Sequence, residues 1–167
     1  MSGVEFAARA AAIRDSSEAR AVLAAGFARV PLAAGENHFT RFEFTRLLED
    51  NAVRFAQPDV SKTGGVTEIM RIAAMCSAWK VTVNPHTLLT GINMAACIHV
   101  LAAVDNPGYF EGDVAHHNPF RDHLGGKPYE LNADGRVAPL EGPGIGIDVD
   151  EDFIAAEKER VLAPTKR

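Results

Sequence analysis

The stretch "AVRFAQPDVSKTGGVTEIMRIAAMCSAWKVTVNPH", residues 52–86, decides the fold class of this chain. It opens with a short apolar run that ends at Asp59, and its last apolar run, residues 81–83, is β-branched and fits a buried strand. Between the two runs lies an apolar set at helical spacing: Ile69, Ile72, Ala73 and Cys76. The order strand, helix, strand predicts a parallel unit with a right-handed helical crossover.

The same alternation extends in both directions from this stretch. Upstream, residues 28–35 are predicted to form a short buried strand, and residues 40–50 are predicted to form a helix. The apolar positions of that helix are Phe42, Phe44, Leu47 and Leu48. Downstream, residues 91–104 form a strongly apolar helix and residues 107–113 a very short strand candidate. The sequence therefore predicts an α/β fold of four βα units with parallel strands.

Three segments of different character divide the chain. Residues 1–27 are Ala-rich and predicted to be helical, with Asp15 and Glu18 at the spacing of a capping box. Residues 28–113 carry the βα alternation. Residues 114–167 are rich in Gly, Pro, Asp and His, and they are predicted to form an extended tail that ends in a short helix.

The composition of the 167 residues is that of a soluble globular protein, with 47% hydrophobic and 23% charged residues. A net charge of −5 argues against a nucleic-acid surface, which needs a basic face. The sequence also lacks an apolar run of membrane-spanning length and a signal-peptide core near its start. Cys76 and Cys97 lie in apolar helical runs, as buried free thiols do. We expect a cytoplasmic protein without nucleic-acid or membrane partners.

Each predicted strand ends at an ionisable side chain. These residues are Glu36, Asp59, His86 and Glu111. A single histidine in such a place is commonly a satisfied loop residue, and a single acid is commonly the N-cap of the next helix. However, the carboxyl ends of parallel strands share one edge, where ligands bind in α/β proteins. Repetition at four equivalent places therefore favours a functional cluster.

The residue types in this cluster suit proton transfer assisted by a metal ion. A carboxylate such as Glu36 is a hard oxygen ligand of the kind that Mg²⁺ prefers. An aspartate such as Asp59 beside His86 would hold one tautomer of the ring and make it a usable acid or base near neutral pH. The combination is typical of metal-assisted proton abstraction.

Four separated segments carry a resemblance to a known family. They are "AAGENHFTRFEF" (33–44), "QPDVSKTGGVTE" (57–68), "NPHT" (84–87) and "PGIGIDVDED" (143–152). In this order and with similar separations, they resemble the mandelate racemase/muconate lactonizing enzyme family of the enolase superfamily, in its mandelate racemase subgroup. The likeness covers about residues 28–155. "NHFTRFEF" and "NPGYFE" look most like the acid-sugar dehydratases and sugar-lactone cycloisomerases.

The resemblance implies a fold, a cofactor and a role for each residue. The fold would be the C-terminal half of a (β/α)8 TIM-type barrel with an extended tail. Glu36 would be the third carboxylate ligand of Mg²⁺, and His86 paired with Asp59 would be the acid/base. Glu111 would hydrogen-bond the substrate carboxylate or the enolate oxygen. The reaction would remove the proton α to the carboxylate of a sugar acid and pass through an enediolate.

The family pattern also includes a Lys-x-Lys motif and two further metal carboxylates, and these match nothing in this chain. Two hypotheses therefore stand. The chain is part of a lyase or isomerase that forms a homo-oligomer or associates with a chain supplying the missing half-barrel, or it is a non-catalytic fragment that only folds or associates.

The His-rich segment at residues 116–123 and Lys62 can each be interpreted as a structural feature or as part of a functional site. "HHNPFRDH" contains His116, His117, Asp122 and His123, which form either a transition-metal site or a polar loop. The spacing of these residues matches no zinc signature, so the loop interpretation is favoured. Lys62 is interpreted as a loop or helix-start lysine.

Overall fold

The computed structural model describes residues 31–51, 53–88 and 90–162. The elements in these ranges are β1 (Ala33–Ala34), α1 (Thr40–Glu49), β2 (Phe55–Ala56), α2 (Val60–Thr63), α3 (Val66–Ala78), β3 (Thr82–Val83), α4 (Gly91–Ala103), α5 (Pro119–Asp122) and α6 (Glu151–Leu162). The helical prediction for residues 1–27, with Asp15 and Glu18, lies outside the described residues. Within those residues, none of the helices has both the length and the apolar character needed to cross a bilayer.

The three strands form one parallel sheet in the order β1-β2-β3. Phe55 pairs with Ala33 on one side and with Thr82 on the other, so the strands are in register. The α/β class with parallel strands is therefore confirmed. The strands are shorter than predicted: a turn follows Gly35 after β1, and Pro58 and Pro85, shortly after β2 and β3, have no N–H with which to extend the ladder.

The strand predicted over residues 107–113 is reduced to a single bridge. Val83 pairs in parallel with Pro107, and the Gly108 N–H donates to the Val83 carbonyl at 2.9 Å. Pro107 has no N–H to donate, and a side chain at Gly108 would overlap Asn84. The ladder stops there, so the structure has three strands and one bridge in its described part where the sequence predicted four strands.

The described residues fall into two compact units. The first runs to His86 and includes Val104–Tyr109, and the second contains Thr87–Ala103 and the chain from Phe110 onward. The sheet and the main apolar core lie in the first unit. The buried residues of that core are Phe44, Leu47, Leu48, Val53, Ala56, Ile72, Ala73, Cys76, Val81 and Val83.

Helices α1 and α3 test the predicted apolar faces. The prediction is confirmed for α3, whose four predicted apolar residues are all buried. It is wrong for Phe42 in α1, which is 68% exposed, with the guanidinium of Arg41 4.6 Å from the centre of its ring. A cation over an aromatic face stabilises such an exposed ring without burying it.

Paired glycines separate α2 from α3. Gly64 ends α2 with φ 115°, and Gly65 begins α3 with φ 86°. Residues with a side chain are strained at both values, so the two glycines allow α3 to begin directly after α2. This turn lets α2, a single helical turn that the sequence did not predict, lie directly after Asp59.

The second unit holds the long helix α4, the short helix α5 and the tail. Most residues of helix α4 between Gly91 and Val100 are buried, as its apolar sequence predicts, and Ala102 and Ala103 at its end are exposed. Asn118 caps α5 by accepting a hydrogen bond from the Arg121 N–H at 3.1 Å. The predicted helix at the end of the tail is present as α6, which contains no buried residue.

Candidate active site

The ends of the three strands deliver three ionisable side chains to one edge of the sheet. After β2 and β3 the backbones continue side by side, because the Asn84 N–H donates to the Ala56 carbonyl and the His86 N–H donates to the Pro58 carbonyl. This pairing carries His86 alongside Asp59. The cluster predicted from the strand ends is thus brought together for Glu36, Asp59 and His86.

Asp59 and His86 form a buried hydrogen-bonded pair. Asp59 Oδ2 lies 2.8 Å from His86 Nδ1, and the two residues are 0% and 7% exposed. Because a carboxylate only accepts hydrogen bonds, the Nδ1 atom carries the proton in this contact. The neutral ring then has its lone pair on Nε2, the atom that can take up or deliver a proton.

Asp59 also caps a helix. Its Oδ1 atom accepts the Ser61 N–H at 2.8 Å, and Asp59 is the N-cap of α2. The Thr63 hydroxyl donates to the Asp59 carbonyl at 2.9 Å, which fixes the same turn. The two interpretations of this aspartate, N-cap and partner of the histidine, therefore hold together, with one carboxylate oxygen for each.

Glu36 lies on the outer side of the histidine. Its Oε2 atom is 3.6 Å from His86 Nε2, and its side chain is 40% exposed. Gly35 makes this placement possible, since its φ is 131° and a Cβ there would come within 2.8 Å of the Phe44 ring. One partly exposed carboxylate and one buried carboxylate thus flank the imidazole.

Lys62 lies in α2, in agreement with its interpretation as a loop or helix-start lysine, but its contacts with the Asp59 carboxylate and the Glu36 backbone were not predicted. Its Nζ atom donates to the Glu36 carbonyl at 3.2 Å and to the Asn37 side chain at 3.3 Å. It also lies 3.9 Å from Asp59 Oδ2. The available signal was spacing, because residues three apart share one side of a helical turn.

Glu111 belongs to the second unit and is exposed. Its backbone carbonyl accepts a hydrogen bond from the buried Thr87 hydroxyl. The predicted contact of its carboxylate with a substrate stays a prediction.

The His-rich segment of the tail behaves as a polar loop. His116 and His117 are exposed, and Asp122 is bound by Arg121, with Oδ1 and Nε 2.6 Å apart. The Arg121 hydrogen bond lowers the pKa of the Asp122 carboxyl. His123 packs against the Phe153 ring. Throughout the described ranges, no three His, Cys, Asp or Glu side chains are grouped so as to hold a metal ion.

A sequence profile of the family described as "Enolase C-terminal domain-like" matches residues 10–153 of this chain. The chain belongs to this enolase family. The family predicted from the four segments is therefore confirmed.

Relatives of this enolase-family chain include named enzymes. D-galactonate dehydratase of Xanthomonas oryzae pv. oryzae (strain PXO99A) is 39% identical over 137 residues, which cover 78% of this chain and 35% of that protein. D-galactonate dehydratase of Cronobacter sakazakii is 38% identical over 134 residues. The enolase-family chain thus spans about a third of the length of the curated relatives that it matches.

Solved structures agree with this placement in the enolase superfamily. A member of the enolase superfamily from Polaromonas sp. JS666 has 49% sequence identity and a TM-score of 0.80, covering 85% of this chain and 37% of that one. A mandelate racemase/muconate lactonizing enzyme-like protein from Roseovarius sp. TM1035 has 31% identity and a TM-score of 0.76, covering 86% of this chain and 35% of that one.

Enolase superfamily members use Mg²⁺. The chemistry of Glu36 fits one position of such a site, because its carboxylate is a hard oxygen ligand and is partly open to solvent. Asp59 does not fit as a second ligand, since both of its oxygens are engaged in the pair and the cap. Within the described residues, this enolase-family chain therefore offers one carboxylate for the ion.

Proposed function

We propose that this chain is the C-terminal barrel part of a Mg²⁺-dependent lyase or isomerase that removes the proton α to the carboxylate of a sugar acid. Residues 28–113 would supply half of a (β/α)8 barrel, and residues 114–167 its tail. The observation that carries the proposal is the buried contact of 2.8 Å between Asp59 and His86, with Glu36 beside the other ring nitrogen.

His86 is the proposed acid/base. With Nδ1 held by Asp59, the ring presents the lone pair of Nε2 for the substrate proton, and the buried carboxylate stabilises the imidazolium that forms. Because an α-proton of a carboxylate is very weakly acidic, the anion left by its removal must be stabilised by a cation and by hydrogen bonds. Asp59 is a positioning residue here, since it acts through the ring.

Glu36 and Glu111 are assigned to the charge that develops on the substrate. Glu36 would hold Mg²⁺, which when bound supplies positive charge to stabilise the anion left by proton removal. Glu111, if protonated or bridged by a donor, would hydrogen-bond the substrate carboxylate or the enolate oxygen. The exposed side of Glu36, 40% open to solvent, leaves room for further ligands of the ion.

The names of the relatives support a dehydratase as the reaction type. In a dehydration, the base takes the α-proton, the electron pair of that C–H bond forms the double bond, and the β-hydroxyl leaves. A protonated His86 can return its proton to that hydroxyl, so that the leaving group is water. D-galactonate is the first substrate to test, because two relatives are named for it.

The remaining catalytic groups would come from the part of the relatives that this chain does not match. We propose that another chain completes the half-barrel and supplies the opposing lysine base and two more carboxylates, since a homo-oligomer of this chain would carry no match to those groups. The alternative is a non-catalytic fragment that only folds or associates.

The test is exchange of the α-proton of D-galactonate in D₂O with Mg²⁺, followed by NMR. The chain is assayed alone and together with the N-terminal two thirds of a relative. Exchange in the combined sample, with none from either part alone, is the expected result. His86→Asn in the combined sample should abolish exchange at one face of the substrate, whereas His116→Asn, at an exposed loop position, should leave it unchanged.

Absence of exchange in every sample, with the two parts shown to associate, would favour the non-catalytic alternative. Exchange that survives His86→Asn unchanged would remove His86 from the role of acid/base.

A further inference from the structure

The helix that follows Glu36 begins without a cap of its own. Its N-cap residue is Phe39, which has no side chain able to accept a backbone N–H. The next residue, Thr40, has φ 57°, a value that is strained for a β-branched side chain. Such a turn persists only where surrounding contacts hold it in place.

A carboxylate from another helix supplies the missing cap. Glu68 Oε1 accepts the backbone N–H of Arg41 at 2.9 Å, and it also accepts the Arg41 guanidinium at 2.8 Å. Glu68 Oε2 is 2.7 Å from the same guanidinium and 3.2 Å from that of Arg71. The Glu68 side chain is only 10% exposed, so this acid is held inside the protein by its donors.

The pKa of Glu68 agrees with a carboxylate bound in its charged form. The Arg41 backbone N–H lowers this pKa most, burial opposes it, and the two guanidinium groups lower it further. A residue that served only as a surface helix position would not collect donors from a second helix.

The contact joins the two loops that carry the candidate site. Arg41 lies in the first turn of α1, just after the segment that begins at Glu36. Glu68 lies in the first turn of α3, after the Asp59 loop and the paired glycines. Glu43 adds a second hold, because its Oε2 accepts the Phe39 N–H at 2.5 Å.

We propose that Glu68 is a positioning residue that fixes the strained segment between Glu36 and Thr40, so that the Glu36 carboxylate stays beside His86 Nε2. Only the importance of this position for catalysis rests on the proposed function. The position itself is the separation of 3.6 Å between Glu36 Oε2 and His86 Nε2, which can be tested without substrate turnover.

The test uses NMR on the full chain with Glu68→Ala, Glu68→Gln and the control Arg71→Ala. The control removes a partner of Glu68 that is 57% exposed and does not belong to α1. In Glu68→Ala we expect hydrogen exchange of the Arg41 amide to rise about tenfold or more. We also expect loss of the nuclear Overhauser contact between the Glu36 side chain and the His86 ring.

Glu68→Gln keeps an oxygen that can accept the Arg41 N–H, so it should retain the contact and the protection of the amide. Arg71→Ala should retain both as well. If Glu68→Ala does not fold, Glu68→Asp decides, because a side chain shorter by one methylene withdraws the acceptor from α1 while keeping the charge.

A purely structural role for Glu68 predicts a different pattern. Glu68→Ala would then lower the melting temperature, but the contact between Glu36 and His86 would persist, and this result would overturn the proposal. The outcome is independent of the proposed reaction, since none of these measurements requires a substrate or a metal ion.

Discussion

Replacing Asp59 separately tests its two roles, because each carboxylate oxygen serves one of them. Asp59→Ala removes both contacts from a residue that is 0% exposed. Loss of the N-cap of α2 costs about 1 kcal/mol, and loss of the charged hydrogen bond to His86 costs about 1.5–3 kcal/mol. The free energy of unfolding should therefore fall by about 2.5–4 kcal/mol in this variant.

Asp59→Asn should behave differently. Asparagine caps helices as well as aspartate does, so the contact to Ser61 is kept, whereas the atom facing His86 changes from a charged acceptor to a neutral N–H donor. We expect a decrease of about 1–2 kcal/mol in the free energy of unfolding, roughly half of the loss in the alanine variant.

The assay is urea unfolding followed by circular dichroism, with the slope of the transition checked for constancy between variants. Nitrogen NMR of the His86 ring tests the pairing of Asp59 with His86, because the tautomer protonated at Nδ1 should no longer predominate when the carboxylate is removed. Asp134→Asn, at a position with a 64% exposed side chain, is the matched control and should change stability by less than about 0.5 kcal/mol. Equal stabilities for Asp59→Asn and Asp59→Ala would refute the assignment of one carboxylate oxygen to the helix cap and the other to His86.

Three further predictions follow from the first unit. Phe44→Ala should lower the free energy of unfolding by about 3–5 kcal/mol because Phe44 is 0% exposed. Phe42→Ala, on the exposed side of the same helix, should change it by less than about 1 kcal/mol. Urea unfolding of both variants measures these changes, and equal effects would contradict the assigned faces. Burial raises the pKa of the Cys76 thiol to about 12 from its usual 9.0, so the stability that the neutral thiol contributes is present below pH 9.0 and is lost as the pH rises toward 12. In a Cys76→Ala variant, the free energy of unfolding should therefore fall less steeply with pH in this alkaline range. Rapid alkylation of that thiol in the folded wild type at pH 8 would contradict the burial. The hydrogen bond from the Arg41 backbone, with the two guanidinium groups, lowers the pKa of Glu68. The stability that the Glu68 carboxylate contributes is therefore present above the usual pKa of 4.5 and is lost as the pH falls. The difference in the free energy of unfolding between wild type and Glu68→Gln should shrink in acid, and a constant difference would contradict the ion pairs.

The alternation of elements was predictable because its signals are local. The apolar period in residues 64–79 and the β-branched run at residues 81–83 each depend on a few neighbouring positions. The edge cluster followed from the same pattern, since parallel strands bring their carboxyl ends together. This reasoning located Glu36, Asp59 and His86 correctly relative to one another.

The features that were missed depend on contacts across the fold. Glu68 looked like an ordinary acid in the first turn of a helix, and nothing near it in sequence points to Arg41, which lies 27 residues away. Phe42 satisfied the helical period but is exposed, because periodicity alone does not tell how wide the buried face is. The lengths of the strands were overestimated because prolines shortly after β2 and β3 have no N–H with which to extend the ladder.

The double duty of Asp59 affects how activity can be inferred across relatives of this chain. An aspartate that caps α2 is kept by selection for folding, even in a descendant that no longer performs chemistry. Its presence is therefore weak evidence of a working enzyme. His86 is not assigned to any helix cap, so a change at that position with Asp59 unchanged would mark relatives that keep the fold but have lost the proposed reaction.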